Sequence, residues 1–290
     1  MRPGSLNRLT GALDENGNLL AFQHKVIAPS FEHSLQGIYN EGKIDPIWIM
    51  EPIGKPFYQC SAFSSRYVWV DATPLPLIWW RSVYSSTNVF GQESFIDELA
   101  HRAGIDPLEF RLTKLNKKPK YKRLLEFLAE KANYKKTLPQ GRAKGLAITH
   151  CFESTCGQVI EVSQTENGIK IDRVITAIDC GIAVNPDNVK AQCEGSVVMG
   201  LTAAIKDPIR FENGRVLTSN FHDYRLMRIH EMPIIETHIL PSEENPTGTG
   251  EPALPSVAPA LANAIFNLTG QRIRTLPMDL SKIEMAKTIG

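Results

Sequence analysis

The sequence predicts an α+β chain of mixed sheets and helices, arranged as two lobes. Three observations lead there. Strand-like runs flank an Asn-Gly turn at the start, helical patterns fill residues 89 to 132, and strand composition returns after Pro139. At the start, Leu9 to Leu13 and Leu19 to Val26 read as a hairpin closed by Asp14-Glu15-Asn16-Gly17, because Asn-Gly adopts the positive φ of a tight hairpin turn. Tyr67 to Val70 is a short strand, and the connection Thr73-Pro74-Leu75-Pro76 follows it. Trp79-Trp80-Arg81-Ser82 then lies in a loop ahead of a helix from about Val89 to Ala103. Phe95, Ile96, Leu99, Ala100 and Ala103 give that helix its apolar stripe, and Gly104 suits its C-terminal cap. Asp106-Pro107-Leu108-Glu109 is the start of a second helix: a capping carboxylate, proline in the first turn, then an acid. A third helix runs from about Tyr121 to Ala132.

Pro139-Gln140-Gly141-Arg142 is the boundary signal, dividing a first lobe, 1–138, from a second, 139–290. Leu146 to Phe152, Gln158 to Val162 and Ile169 to Ile178 have strand composition, the last two joined across Glu166-Asn167-Gly168. Asn185-Pro186 caps a helix reaching about Ala204. A second Asn-Gly hairpin follows at Glu212-Asn213-Gly214, then a strand from Ile234 to Leu240. Gly248-Thr249-Gly250 leads to a final helix, about Ser256 to Leu268, and Arg272 to Leu276 is placed as a strand that closes a sheet.

Bulk properties exclude more than they assign. Thirty-two basic residues against 31 acidic ones leave no strong field to steer the chain to nucleic acid or a membrane surface. The densest basic run, Lys114 to Arg123, reads as a solvated helix approach or as a subunit or nucleic-acid contact. No apolar stretch reaches the ~18 residues a membrane span needs, and no apolar segment follows Met1 to make a signal peptide. That places the chain in the cytoplasm by default, or in the periplasm if an export signal stood on a further N-terminal part. The five cysteines, Cys60, Cys151, Cys156, Cys180 and Cys193, contain no C-x-x-C pair, so neither an iron–sulfur cluster nor a structural zinc is expected on this chain.

Three segments could carry chemistry. In Thr247-Gly248-Thr249-Gly250-Glu251-Pro252, two glycines permit close backbone approach to a ligand and place a carboxylate just ahead of a helix. A solvated loop acid is the plain alternative. The glycines match neither a Walker A loop nor a dinucleotide fingerprint. In Asp179-Cys180-Gly181 to Gln192-Cys193-Glu194-Gly195, an amide could lie against a flat cofactor, or the segment could be a capped, packed helix. In Trp79-Trp80-Arg81-Ser82, Arg81 could clamp an anion through its planar fork, or pair with Glu93 or Asp97. The histidines show no H-E-x-x-H, no G-x-S-x-G elbow is present, and Cys156 as a nucleophile lacks an evident partner.

Taken together, these segments resemble the xanthine dehydrogenase/aldehyde oxidase family, in its branch of isoquinoline 1-oxidoreductase beta-subunit-like molybdopterin-binding subunits. The resemblance rests on Arg81-Ser82 with Glu93 to Ala100 and Gly104 to Arg111, and on Asp179-Cys180-Gly181 with Asn185-Pro186. It rests equally on Gln192 to Gly195, and on Gly248 to Pro252 leading into Val257 to Ala264. All occur in the family's order across nearly the whole chain.

The resemblance implies a molybdopterin-binding-domain-like fold and a molybdopterin cofactor with molybdenum, in bacteria usually the cytosine dinucleotide, whose metal takes no protein ligand. It implies Glu251 as general base in hydroxylation of an aldehyde or N-heterocycle, with oxygen from water. Arg81, Gln192, Gly248 and Gly250 are the implied cofactor-binding residues. Electrons would leave through a [2Fe–2S] cluster on a separate small subunit. Family large subunits are longer, so the chain is expected to be a C-terminal part, its N-terminal half missing or supplied as a separate chain. Val83-Tyr84 stands where many relatives carry Phe-Gly, so no substrate-stacking phenylalanine transfers. The competing class is a cofactor-free remnant or assembly piece of such a protein.

Overall fold

A computed structural model describes residues 4–37, 44–50, 53–54, 56–70 and 79–283. The chain divides into two compact units, Met1–Arg123 and Leu124–Gly290. The dividing point falls inside a helix, while the sequence boundary at 138/139 falls at the turn before the second unit's first strand.

In the first unit, β1 (Leu6–Leu13) and β2 (Leu19–Ala28) form the expected hairpin. Asp14 Oδ1 accepts the backbone N–H groups of Asn16 and Asn18, and Gly17 takes φ +75°. The third strand, β3 (Ala62–Trp69), is longer than the sequence indicates and lies parallel to β2, so the sheet order is β1-β2-β3. Between them sits a short helix α1 (Phe31–Gln36) that sequence reasoning missed. Its cap, Ser30, accepts the His33 N–H, while buried Asp45 accepts the Phe31 N–H at 2.7 Å. The connection at residues 73–76 lies outside the described residues.

Helix α2 (Ser85–Arg102) starts four residues earlier than its apolar stripe indicates. It lies close on β1, with Gly11 beneath Phe95 and Leu99 and Gly91 above Asn7 and Leu9. Its buried face is partly charged. Glu93 and Asp97 are held by Arg111 of α3 (Pro107–Lys114). The Arg111 Nε–Glu93 Oε2 distance is 3.1 Å, with both side chains fully buried. Asp106 caps α3 as expected, accepting from Leu108 and Glu109. Helix α4 (Pro119–Lys131) follows.

The second unit is built on a four-stranded sheet: β4 (Arg142–Cys151), β5 (Ser154–Thr165), β6 (Gly168–Asp179) and β9 (Ile234–Ile239), in that order. The first three form an antiparallel meander and β9 joins β6 in parallel. Helix α5 (Pro186–Ile205) is capped by Asn185 as the Asn-Pro pair indicates. The second Asn-Gly hairpin is a pair of two-residue strands, β7 (Phe211–Glu212) and β8 (Arg215–Val216).

Helix α6 (Val257–Thr269) seals the sheet from one side, with Leu261 and Ile265 fully buried. Each such side chain contributes about 2 kcal/mol through apolar burial. Contact is close because Gly145 on β4 lies directly under the α6 backbone, where an added Cβ would stand 2.1 Å from Ala264 N. Gly200 on α5 does the same against Val257, with an added Cβ at 3.0 Å. The strand expected at Arg272 to Leu276 does not form. β9 occupies the place beside β6, and Arg272 instead turns back on α6, its guanidinium 3.4 Å from the Phe266 ring centre.

Candidate functional site

Alternating strands bring three connections to one end of the second sheet: the β4–β5 turn, the segment after β6, and the glycine loop before α6. The β4–β5 turn has only two residues, Phe152 and Glu153, at φ +51° and +62°. A two-residue hairpin loop of this kind needs positive φ at both positions and normally uses Asn-Gly. Holding two bulky residues there costs on the order of 1–3 kcal/mol each. Both side chains are exposed, while Cys151 and Ser154 on either side are buried.

The glycine loop is tied to both neighbours. Gly248 N–H donates to the Phe152 carbonyl at 3.1 Å, and Ser154 Oγ donates to the Gly248 carbonyl at 2.6 Å. Ser154 and Thr247 hydroxyls stand 2.6 Å apart. From the other side, Thr247 N–H donates to the Cys180 carbonyl and Ile182 N–H to the Glu244 carbonyl, each at 2.9 Å. Gly181 allows this through φ +68° and because an added Cβ would lie 2.1 Å from Asn245 O.

Within this frame the second unit brings together four of the five sequence-selected residues. Gln192 projects from α5 beside Gly250, where an added Cβ would meet only the Gln192 Oε1, at 3.9 Å. Gly248 lies against the Phe152 turn, and Glu251 follows, half-buried, immediately before buried Pro252 and Ala253. The Cβ direction at Gly250 therefore meets no atom nearer than the Gln192 amide oxygen. An amide side chain and backbone edges there suit the donor and acceptor pattern of a heterocycle such as a pterin. Arg81, the fifth residue, belongs to the first unit, half-buried in the turn before α2, where Ser82 and Val83 take φ +70° and +45°.

Beneath the loop lies a floor of thiols. Cys156, Cys180 and Cys193 share one buried cluster with Ala253, and all five cysteines are free thiols. Burial pushes the Cys156 thiol well above its ordinary pKa, and the neighbouring Cys193, Cys151 and Cys180 push the same way. Cys156 is thus an inert core thiol rather than a nucleophile. Among the described residues no group of three or more His, Cys, Asp or Glu side chains is arranged to hold a metal ion. Nor is any helix among them long and apolar enough to cross a membrane.

Sequence reasoning missed two residues that touch this loop, Ser154 and Gln158. Gln158 Nε2 donates to the Ala253 carbonyl at 2.8 Å. The available signal was the spacing Ser154-Cys156-Gln158, which puts polar side chains on one face of a strand otherwise rich in Val and Ile.

Comparison with known proteins gives this arrangement its class. Residues 94–233 match the molybdopterin cofactor-binding domain family. Over 95% of its length the chain is 31% identical to the beta subunit of isoquinoline 1-oxidoreductase from Brevundimonas diminuta, and covers 36% of that protein. Over 97% it is 29% identical to a nicotinate dehydrogenase subunit from Pseudomonas putida, covering 26% of it. Quinoline 2-oxidoreductase from Pseudomonas putida 86 shares the fold. Its TM-score is 0.76 at 11% identity, covering 97% of this chain and 62% of that one. The chain thus carries a match to a molybdopterin cofactor-binding domain and is similar over nearly its whole length to subunits of these oxidoreductases. It spans about a third of the length of these curated relatives.

Proposed function

We propose that the chain is the C-terminal part of a molybdenum hydroxylase large subunit that oxidises an aldehyde or an N-heterocycle, with oxygen from water. The observation that carries this reading is the Glu251 loop: a half-buried carboxylate at the end of a doubly tethered glycine segment, with Gln192 beside Gly250. Both substrate classes stand in the names of similar proteins, isoquinoline and nicotinate in two and an aldehyde in a third.

The cofactor, a molybdopterin carrying molybdenum and proposed to be the cytosine dinucleotide, supplies two-electron oxidation when bound. The chain's own residues hold and orient. Gln192 offers its amide to the edge of the pterin, and Gly248 and Gly250 bring backbone close where side chains would intrude. Arg81 is assigned to cofactor binding on the family resemblance. Glu251 takes a proton from the water-derived oxygen as that oxygen attacks an electron-poor substrate carbon. A carboxylate positioned beside the reacting oxygen is a group type that serves as general base. A [2Fe–2S] cluster, which we assign to a separate small subunit, would supply the electron acceptor.

Glu251→Gln tests this reading in the enzyme purified with its accompanying chains. The variant is expected to retain molybdenum, at about one atom for each copy of the chain, and to lose hydroxylation. Undiminished turnover would remove Glu251 as the base, and absence of molybdenum from the wild-type enzyme would remove the cofactor assignment.

A further inference from the structure

We propose that Ser154 and Gln158 are positioning residues that hold the glycine loop on both sides of Glu251. This role rests on the general-base reading only where turnover is concerned.

The two side chains lie on one face of β5, four residues apart and so separated by about 13 Å. Ser154 grips the loop upstream of Glu251, at Thr247 and Gly248, and Gln158 grips it downstream, at Ala253. Both are fully buried. The proton count fixes the direction of the upstream contact. Ser154 has one hydroxyl proton and gives it to the Gly248 carbonyl, so the Thr247 hydroxyl must donate to Ser154 Oγ. The result is a short relay from Thr247 through Ser154 to Gly248, in which each bond polarises the next.

Downstream, the amide is retained at a cost. Gln158 Oε1 has no hydrogen-bond partner among the described residues, although it is fully buried. An apolar side chain of similar volume would avoid that unpaired acceptor. What it would lose is the bond to the Ala253 carbonyl, two residues beyond Glu251, together with the weak contact to Cys156 Sγ at 3.7 Å. The amide thus keeps the buried Ala253 carbonyl paired at the point that fixes the exit of the loop. The backbone bond from Gly248 N–H to Phe152 O completes the upstream grip, and it depends on the strained conformation of that turn rather than on the side chains of Phe152 and Glu153.

The test uses the molybdenum-loaded enzyme with its accompanying chains and reads two quantities. The first is amide hydrogen exchange in peptides covering residues 244–256, measured for wild type, Ser154→Ala and Gln158→Leu. The second is kcat and KM, with Glu251→Gln run in parallel. Faster exchange is expected in both variants, with kcat down between about ten- and one hundred-fold and KM within about two-fold, as for a displaced reacting group. Gln158→Leu leaves the buried Ala253 carbonyl without its donor, so the midpoint of thermal unfolding is expected to fall modestly, and both readings are taken well below it, which separates loss of position from loss of fold. Unchanged exchange in both variants overturns the proposal, as does unchanged kcat where Glu251→Gln is inactive. If Glu251→Gln stays active, the general-base reading fails, and exchange alone decides whether the two residues hold the loop.

Discussion

Acidification should loosen the first unit before the second, and His24 supplies the reason. Its ring is fully buried on β2, with Nε2 2.8 Å from Asn7 Oδ1. An amide oxygen can only accept, so Nε2 carries the proton of a neutral ring, and Nδ1 has no partner among the described residues. Protonation would place a second N–H and a positive charge where nothing accepts them, and burial lowers the pKa from its ordinary 6.5 to about 3. Between those values the unfolded chain binds a proton that the folded unit refuses. The stability tied to neutral His24 is therefore complete above pH 6.5 and falls as pH drops toward 3. At pH 5 the loss is about 2 kcal/mol, from one and a half pH steps at ~1.4 kcal/mol each. All four tryptophans, Trp48, Trp69, Trp79 and Trp80, lie in this unit, so their fluorescence in a urea titration reports its unfolding alone. Wild type should lose about 2 kcal/mol between pH 7 and pH 5, and His24→Gln, which cannot titrate, should not. An equal drop in both proteins would refute the argument.

Other outcomes follow from single contacts. Gly145→Ala would drive a methyl group into the α6 backbone, at 2.1 Å from Ala264 N, and should cost about 3 kcal/mol in a calorimetric scan of the second unit. In the first unit, burial opposes the charge of Arg111, but Glu93, Tyr58 and Asp97 outweigh burial and raise its pKa. Glu93→Leu should therefore destabilise by about 3 kcal/mol or more by stranding that charge. The double variant Glu93→Leu, Arg111→Met should cost less than this single one, which a double-mutant cycle on tryptophan fluorescence would show.

Local chemistry made much of the fold legible. Asn16-Gly17, Asp106-Pro107 and Asn185-Pro186 each act through their own backbone geometry, and each appears where its residue types require. The glycine loop stands out by its composition, with an added Cβ at Gly248 only 3.1 Å from Phe152, whereas Glu251 and Gln192 are singled out through the family resemblance. What could not be read depended on distant residues. Nothing local marks Phe152-Glu153 as a hairpin turn, because its positive φ values are imposed by the strands and by the docked loop. The strand that follows was consequently placed at Gln158 rather than Ser154, and both residues that grip the loop were overlooked. The ion pair of Glu93 with Arg111, one helix downstream, has no mark in the sequence around either residue. The parallel pairing of β3 with β2 likewise has no signature in either strand alone.

The spacing of the loop's tethers has a consequence for the order in which the chain matures. Strands β4, β5 and β6 are joined by tight turns and can pair as soon as each has been synthesised. The bonds that seat Glu251 join residues 93 to 95 positions apart, Ser154 to Thr247 and Gln158 to Ala253. Such contacts form only after the intervening chain has closed a long loop. The three-stranded meander can therefore form, with the hydroxyl of Ser154 and the amide of Gln158 on its face, before β9, the loop bearing the carboxylate and α6 join it. The site is assembled last, on a surface already folded to receive it.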